Sequence, residues 1–115
     1  MPAPALLDLS RLEIALGGDT SMIGDILEMY ESTAQADLDA LADALKAGDA
    51  LGGTRKAHSL KGASANVGAD QVAAIAADIE HACRDGHVAQ AAARLADLTS
   101  TFDQTLQASR AHRAA

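Results

Sequence analysis

Apolar residues recur at spacings of three and four along almost the whole chain, and glycine with aspartate interrupts them at helix-length intervals. Ser10 with Glu13 fits a capping box and predicts a short first helix over about 10–16. Ile23, Leu27, Tyr30, Ala34, Leu38, Leu41 and Leu45 form one side of a long second helix, about 20–46. A third is predicted over about 50–67. A fourth, about 70–84, carries Val72, Ile75, Ala76, Ile79 and Cys83 in one stripe. The fifth, about 87–109, has Val88, Ala91, Leu95, Leu98, Phe102 and Leu106. Gly17-Gly18-Asp19, Gly48-Asp49, Gly68-Ala69-Asp70 and Asp85-Gly86 separate these segments and read as glycine C-caps, the first three followed by an aspartate.

Prolines stand only at positions 2 and 4, so nothing breaks the later helices. Connections of two to four residues force neighbouring helices to run antiparallel. The expected fold is therefore all-α: an antiparallel up-down four-helix bundle with an additional short N-terminal helix. At 115 residues it is read as a single domain, with its core over about 6–108 and a tail from Ser109 that frays.

Composition agrees with helices packed closely through small and aliphatic side chains: 49% of residues are hydrophobic, yet there is one Phe, one Tyr and no Trp. The formal charge of −7 argues against generic binding to nucleic acid or an acidic membrane. Cys83 is the single cysteine, so no internal disulfide forms. The start has no basic n-region, and no apolar run is long enough to span a bilayer. These features predict a soluble, cytoplasmic chain, and a bundle that satisfies its own stripes predicts a monomer.

The third helix carries the candidate chemistry. With His58 at 0° on a helical wheel, Leu60, Val67, Ser64 and Ala57 fall between about 180° and 260°, so the histidine points away from the apolar face. Lys61 and Gly62 lie one turn on, and Thr54 and Arg55 one turn back. A helix-interior glycine costs about 1 kcal/mol relative to alanine. Clearance for a group on the imidazole, and for another protein's active site, is a physical reason to keep Gly62. Neutral imidazole exposes a nucleophilic nitrogen, and Lys61 and Arg55 are placed to screen a phosphoryl group attached there. The chain has no Walker loop, no glycine-rich nucleotide motif and no metal-ligand spacing, so no bound cofactor or metal of its own is expected.

The run Ala57-His58-Ser59-Leu60-Lys61-Gly62, continuing through Ala63-Ser64-Ala65-Asn66-Val67-Gly68-Ala69, resembles the phosphorylation-site signature of the histidine phosphotransfer (HPt) family of two-component phosphorelays. The order of elements over about 6–108 resembles that family too. The resemblance implies a phosphorelay intermediate. In it His58 accepts a phosphoryl group from a receiver-domain aspartate and passes it to another receiver, using magnesium bound by the receiver. It implies response-regulator receivers as partners, and a sensor or hybrid histidine kinase as a further one. By position it makes Lys61 the neighbouring cation and Gly62 the clearance residue. Glu80 corresponds to a polar residue that bonds the unphosphorylated ring nitrogen, leaving Nε2 as nucleophile, and Arg84 to a second basic residue near the phosphate. Ala63 departs from the family, where many relatives have serine.

Two other readings compete: a histidine-bearing substrate domain of a chemotaxis-type kinase, and an inert helical adaptor. His81 is expected to face solvent, His87 to start a helix and His112 to lie in the tail. Cys83 reads as a small core residue. Lys56 falls toward the apolar side, where snorkelling suits it better than phosphate contact. Met22, Ile26 and Met29 flank the stripe of the second helix and read equally as core or as an apolar docking surface.

Overall fold

The computed structural model describes residues 5–114, and these form six helices: α1 (Ser10–Ala15), α2 (Ile23–Lys46), α3 (Ala50–Asn66), α4 (Asp70–Arg84), α5 (Val88–Ala93) and α6 (Leu95–Ala114). The bundle is antiparallel and all-α, as the periodicity predicts. All seven residues of the second-helix stripe are buried. Leu27, Leu41, Leu60, Val72, Ile79, Leu98 and Phe102 are fully enclosed at its centre. Burying a side chain of this size contributes about 1.5–3 kcal/mol. Tyr30 of α2 meets Phe102 of α6 edge to face, with ring centroids 6.2 Å apart.

Four expectations need correction. The capping box does not form: Leu9 occupies the N-cap of α1 without a side-chain bond, and the Ser10 N–H donates instead to Asp8 Oδ1 at 3.0 Å. The second helix begins at Ile23 rather than at 20, because Asp19 Oδ1 accepts the Ser21 N–H at 2.9 Å and holds a turn. The last predicted helix is two. At Arg94 the N–H reaches only three residues back, to Ala91 O at 3.0 Å. The Arg94 guanidinium is pinned there by Asp97 at 2.9 Å and Asp78 of α4 at 3.4 Å. Neither glycine nor proline marks this break. Finally, the tail stays helical to Ala114, because Glu31 of α2 accepts from Ser109 Oγ at 2.7 Å and Arg113 Nε at 2.9 Å.

The third helix is fixed in register on both sides. Asp49 caps its start, accepting the Gly52 N–H at 2.9 Å. Tyr30 Oη and Ser64 Oγ share a buried hydrogen bond of 2.8 Å, and Ser59 Oγ donates to Asp37 Oδ2 at 2.7 Å, tying α2 to α3. Burial pushes the Tyr30 phenol up to about 12, against the pull of Ser64. Against α4 the helices close tightly: a Cβ at Gly53 would stand 2.7 Å from Cys83 Sγ. At the far end α1 lies across the α3–α4 turn, its Arg11 bonded to Asp70 at 2.6 Å and to Ala65 O at 2.7 Å. Gly68 makes this possible. Its φ is +76°, and a Cβ there would sit 1.6 Å from Asp8 O.

Candidate functional site

On α3 the predicted polarity holds: Ala57, Leu60, Ser64 and Val67 are buried, and the His58 side chain is 67% exposed. Antiparallel packing brings Glu80 of α4 level with it. The Glu80 side chain is only 4% exposed, and both of its oxygens are engaged. His58 Nδ1 lies 3.0 Å from Oε2, which also accepts from Arg84 Nη2 at 2.6 Å. Lys61 Nζ donates to Oε1 at 2.7 Å. Four sequence-predicted residues thus meet at one buried carboxylate.

The electrostatics follow from that geometry. Burial alone would raise the Glu80 carboxyl. The hydrogen bonds from Lys61 and His58, with the charge of Lys61, outweigh it and hold the group below the usual glutamate range. Glu80 is therefore an anion that accepts hydrogen bonds. An acceptor at Nδ1 favours the ring tautomer with the proton on Nδ1, which leaves Nε2 with a free lone pair.

The remaining predicted residues differ in how closely they join this cluster. Gly62 is exposed, and a Cβ added there would meet nothing within 4 Å. Packing within the domain therefore does not require a glycine at 62. Arg55 is exposed one turn before His58 and makes no hydrogen bond or ion pair among the described residues. Lys56 is exposed as well. His81 faces solvent as expected; His87 is the exposed N-cap of α5 and His112 is exposed near the end of α6. Cys83 is buried, and burial pushes its thiol up. Of the flanking residues on α2, Ile26 packs against the core while Met22 and Met29 are exposed.

Sequence reasoning did not find the ion pairs of Lys61 and Arg84 with Glu80, having read both cations as facing phosphate. The spacing of Glu80 and Arg84, four apart on one helix, was the available signal. It missed the Asp37–Ser59 bond altogether, because nothing local pairs residues on two different helices. Among the described residues no group of three or more His, Cys, Asp or Glu could hold a metal ion, and no helix is long and apolar enough to cross a membrane.

The family model of the Hpt domain matches residues 25–112, most of the chain and all of the Glu80 cluster. The chain belongs to the Hpt domain family. It is also similar to a solved structure, histidine-containing phosphotransfer protein B (HptB) from Pseudomonas aeruginosa PAO1. The TM-score is 0.88 at 26% identity, over 97% of each chain. No curated protein matches the sequence significantly. As an Hpt domain the protein is a phosphoryl carrier of two-component signalling, and its partners are receiver domains.

Proposed function

We propose that His58 is the residue on which this Hpt domain carries the phosphoryl group, with Nε2 as the nucleophile. The observation that carries the reading is an exposed imidazole whose other nitrogen is held 3.0 Å from a buried carboxylate. In the forward step the Nε2 lone pair attacks the phosphorus of a receiver's aspartyl phosphate. An N–P bond forms, the acyl-phosphate P–O bond breaks, and the receiver's carboxylate leaves with the electron pair. No proton has to move. The ring keeps its proton on Nδ1 and becomes cationic, and Glu80 stabilises the charge that develops there. Reversal delivers the group to the next receiver.

Within this scheme Glu80 is a positioning residue and Lys61 the neighbouring cation. Arg84 is a second cation on the same carboxylate, and Arg55 is an unpaired one on the approach. Magnesium held by the receiver would neutralise the phosphoryl oxygens during transfer.

The test is phosphoryl transfer from a phosphorylated, magnesium-loaded receiver to the purified domain, native against His58→Gln. The native domain gains an acid-labile, alkali-stable label and the variant gains none. Label on His58→Gln would overturn the assignment.

A further inference from the structure

Two cations beside His58 are engaged by a carboxylate. Lys61 Nζ donates to Glu80 Oε1 at 2.7 Å, and Arg84 Nη2 donates to Oε2 at 2.6 Å. Oε2 is the same atom that lies 3.0 Å from His58 Nδ1. The Glu80 side chain is 4% exposed, whereas those of Lys61 and Arg84 are 36% and 59% exposed. Two side chains with solvent available to them thus converge on one buried anion.

A buried carboxylate at this distance from an imidazole has two opposite consequences. It orients the ring by holding the proton on Nδ1, which favours transfer. It also stabilises the imidazolium, in which a proton from solvent occupies Nε2 and no lone pair remains to attack phosphorus. Against burial, its hydrogen bonds hold Glu80 ionised, so this second pull is present at neutral pH. The charges around the ring decide how strong it is. On α4 these are Glu80 and Arg84, and on α3 Lys61 with Arg55 one turn back. On the α2 side Asp37 accepts from the hydroxyl of Ser59, the residue after His58, at 2.7 Å. With the ring neutral, Glu80, Lys61 and Arg84 together already carry one positive charge in excess. A proton on Nε2 adds a second like charge to the same cluster.

We infer that Lys61 and Arg84 are positioning residues that act on the ionisation of His58 and not as ligands of the phosphoryl group. They offset the pull of Glu80 for a second ring proton and so keep the Nε2 lone pair free. The inference rests on His58 being the phosphorylated residue. It explains why a carboxylate and two cations are built together. Glu80 alone would orient the ring and also fill it, whereas the cations alone would leave it unoriented. Solvent screening limits each exposed cation to a modest share, so removing one shifts the pH profile of transfer without abolishing transfer.

Transfer from one phosphorylated, magnesium-loaded receiver is measured between about pH 6 and about pH 8, the range in which an imidazole changes charge. Native protein is compared with Arg84→Met, Lys61→Met, Glu80→Gln and the double variant Glu80→Gln/Arg84→Met, with His58→Gln as the blank. Dividing each rate by the native rate at the same pH removes the receiver's own pH dependence. Arg84→Met and Lys61→Met lose at least about threefold more rate at about pH 6 than at about pH 8, since the ring protonates more readily. Glu80→Gln departs in the opposite direction, and the double variant returns toward the native profile. Imidazole ¹⁵N shifts, read without receiver, move in the same order, and thermal melts check that the folds match. A loss by the same factor at every pH, repeated in the Glu80→Gln background, makes Arg84 a phosphoryl ligand and overturns the inference. An unchanged ring titration in both single cation variants overturns it too. Either result leaves the histidine assignment standing while His58→Gln stays silent. Label on His58→Gln, or no label on native protein from any receiver, overturns that assignment and this inference with it.

Discussion

Two glutamates in this molecule are built almost alike. Glu80 on α4 and Glu31 on α2 have side chains 4% and 10% exposed, and each gathers two cations and one further polar side chain. For Glu80 these are Lys61, Arg84 and His58; for Glu31 they are Arg110, Arg113 and Ser109. In both, burial by itself would raise the carboxyl, and hydrogen bonds with neighbouring charge more than offset it. Electrostatics therefore does not separate them. What does is the third partner. Ser109 is buried and satisfied once bonded, so the Glu31 cluster ends there as a latch for α6. His58 has a second nitrogen facing solvent, so the Glu80 cluster continues into whatever approaches.

The largest expected effect that tests this contrast is on Glu80. Replacing it by alanine removes a charged hydrogen bond to the ring, an interaction of about 1.5–3 kcal/mol. We expect transfer to slow roughly 10- to 150-fold. Imidazole ¹⁵N shifts should show the proton redistributing between the two ring nitrogens, which a purely structural role would not require. Glu80→Gln keeps an acceptor but no charge and should recover the Nδ1–H tautomer with only part of the rate. An alanine variant with native tautomer and native rate would reduce Glu80 to a second latch.

Glu31→Ala should do the reverse. Losing it leaves the buried Ser109 hydroxyl without its acceptor and frees Arg110 and Arg113, a cost of about 1–3 kcal/mol in stability. The melt should fall by several degrees, with transfer within twofold of native. The pH dependence has a definite sign. The folded-state pKa of Glu31 lies below its unfolded value, so its contribution is fully present above the ordinary glutamate value of about 4.5. It is lost as pH falls through the lower, folded value. The gap in stability between native and Glu31→Ala should be widest near neutrality and close in acid. A transfer defect as large as that of Glu80→Ala would erase the distinction between the clusters.

These two clusters also show what a sequence can reveal. The stripes of α2 and α4 were legible because burial on one face imposes a period, and the glycines at helix ends because a left-handed turn needs them: Gly48, Gly68 and Gly86 all have positive φ. His58, Lys61 and Gly62 were legible because they share one helix with a recognisable signature. The Glu31 latch was not. It joins residues about 80 positions apart, and Ser109 to Arg113 look locally like any polar tail. The break at Arg94 escaped for a related reason: a tightened turn held by Asp78 of another helix leaves no mark in the residues beside it. Glu80 was found by family resemblance, but the ion pairs of Lys61 and Arg84 at its oxygens came only with the fold.

The smallest effect expected on stability is at Gly62, and comparison with Gly53 on the same helix gives it meaning. A Cβ at Gly53 meets Cys83 Sγ at 2.7 Å, so Gly53→Ala must displace a buried side chain and should destabilise the domain. A Cβ at Gly62 meets nothing within 4 Å. Alanine is favoured over glycine inside a helix by up to about 1 kcal/mol, so Gly62→Ala should stabilise the domain, raising its melt slightly. If the glycine is there for clearance, the more stable protein will transfer severalfold more slowly, because the new methyl group stands where the phosphoryl group and the receiver must come together. Stability and transfer would then move in opposite directions from one added carbon, which packing inside the domain cannot produce. A variant that is more stable and transfers at the native rate would remove clearance as the reason for glycine at this position.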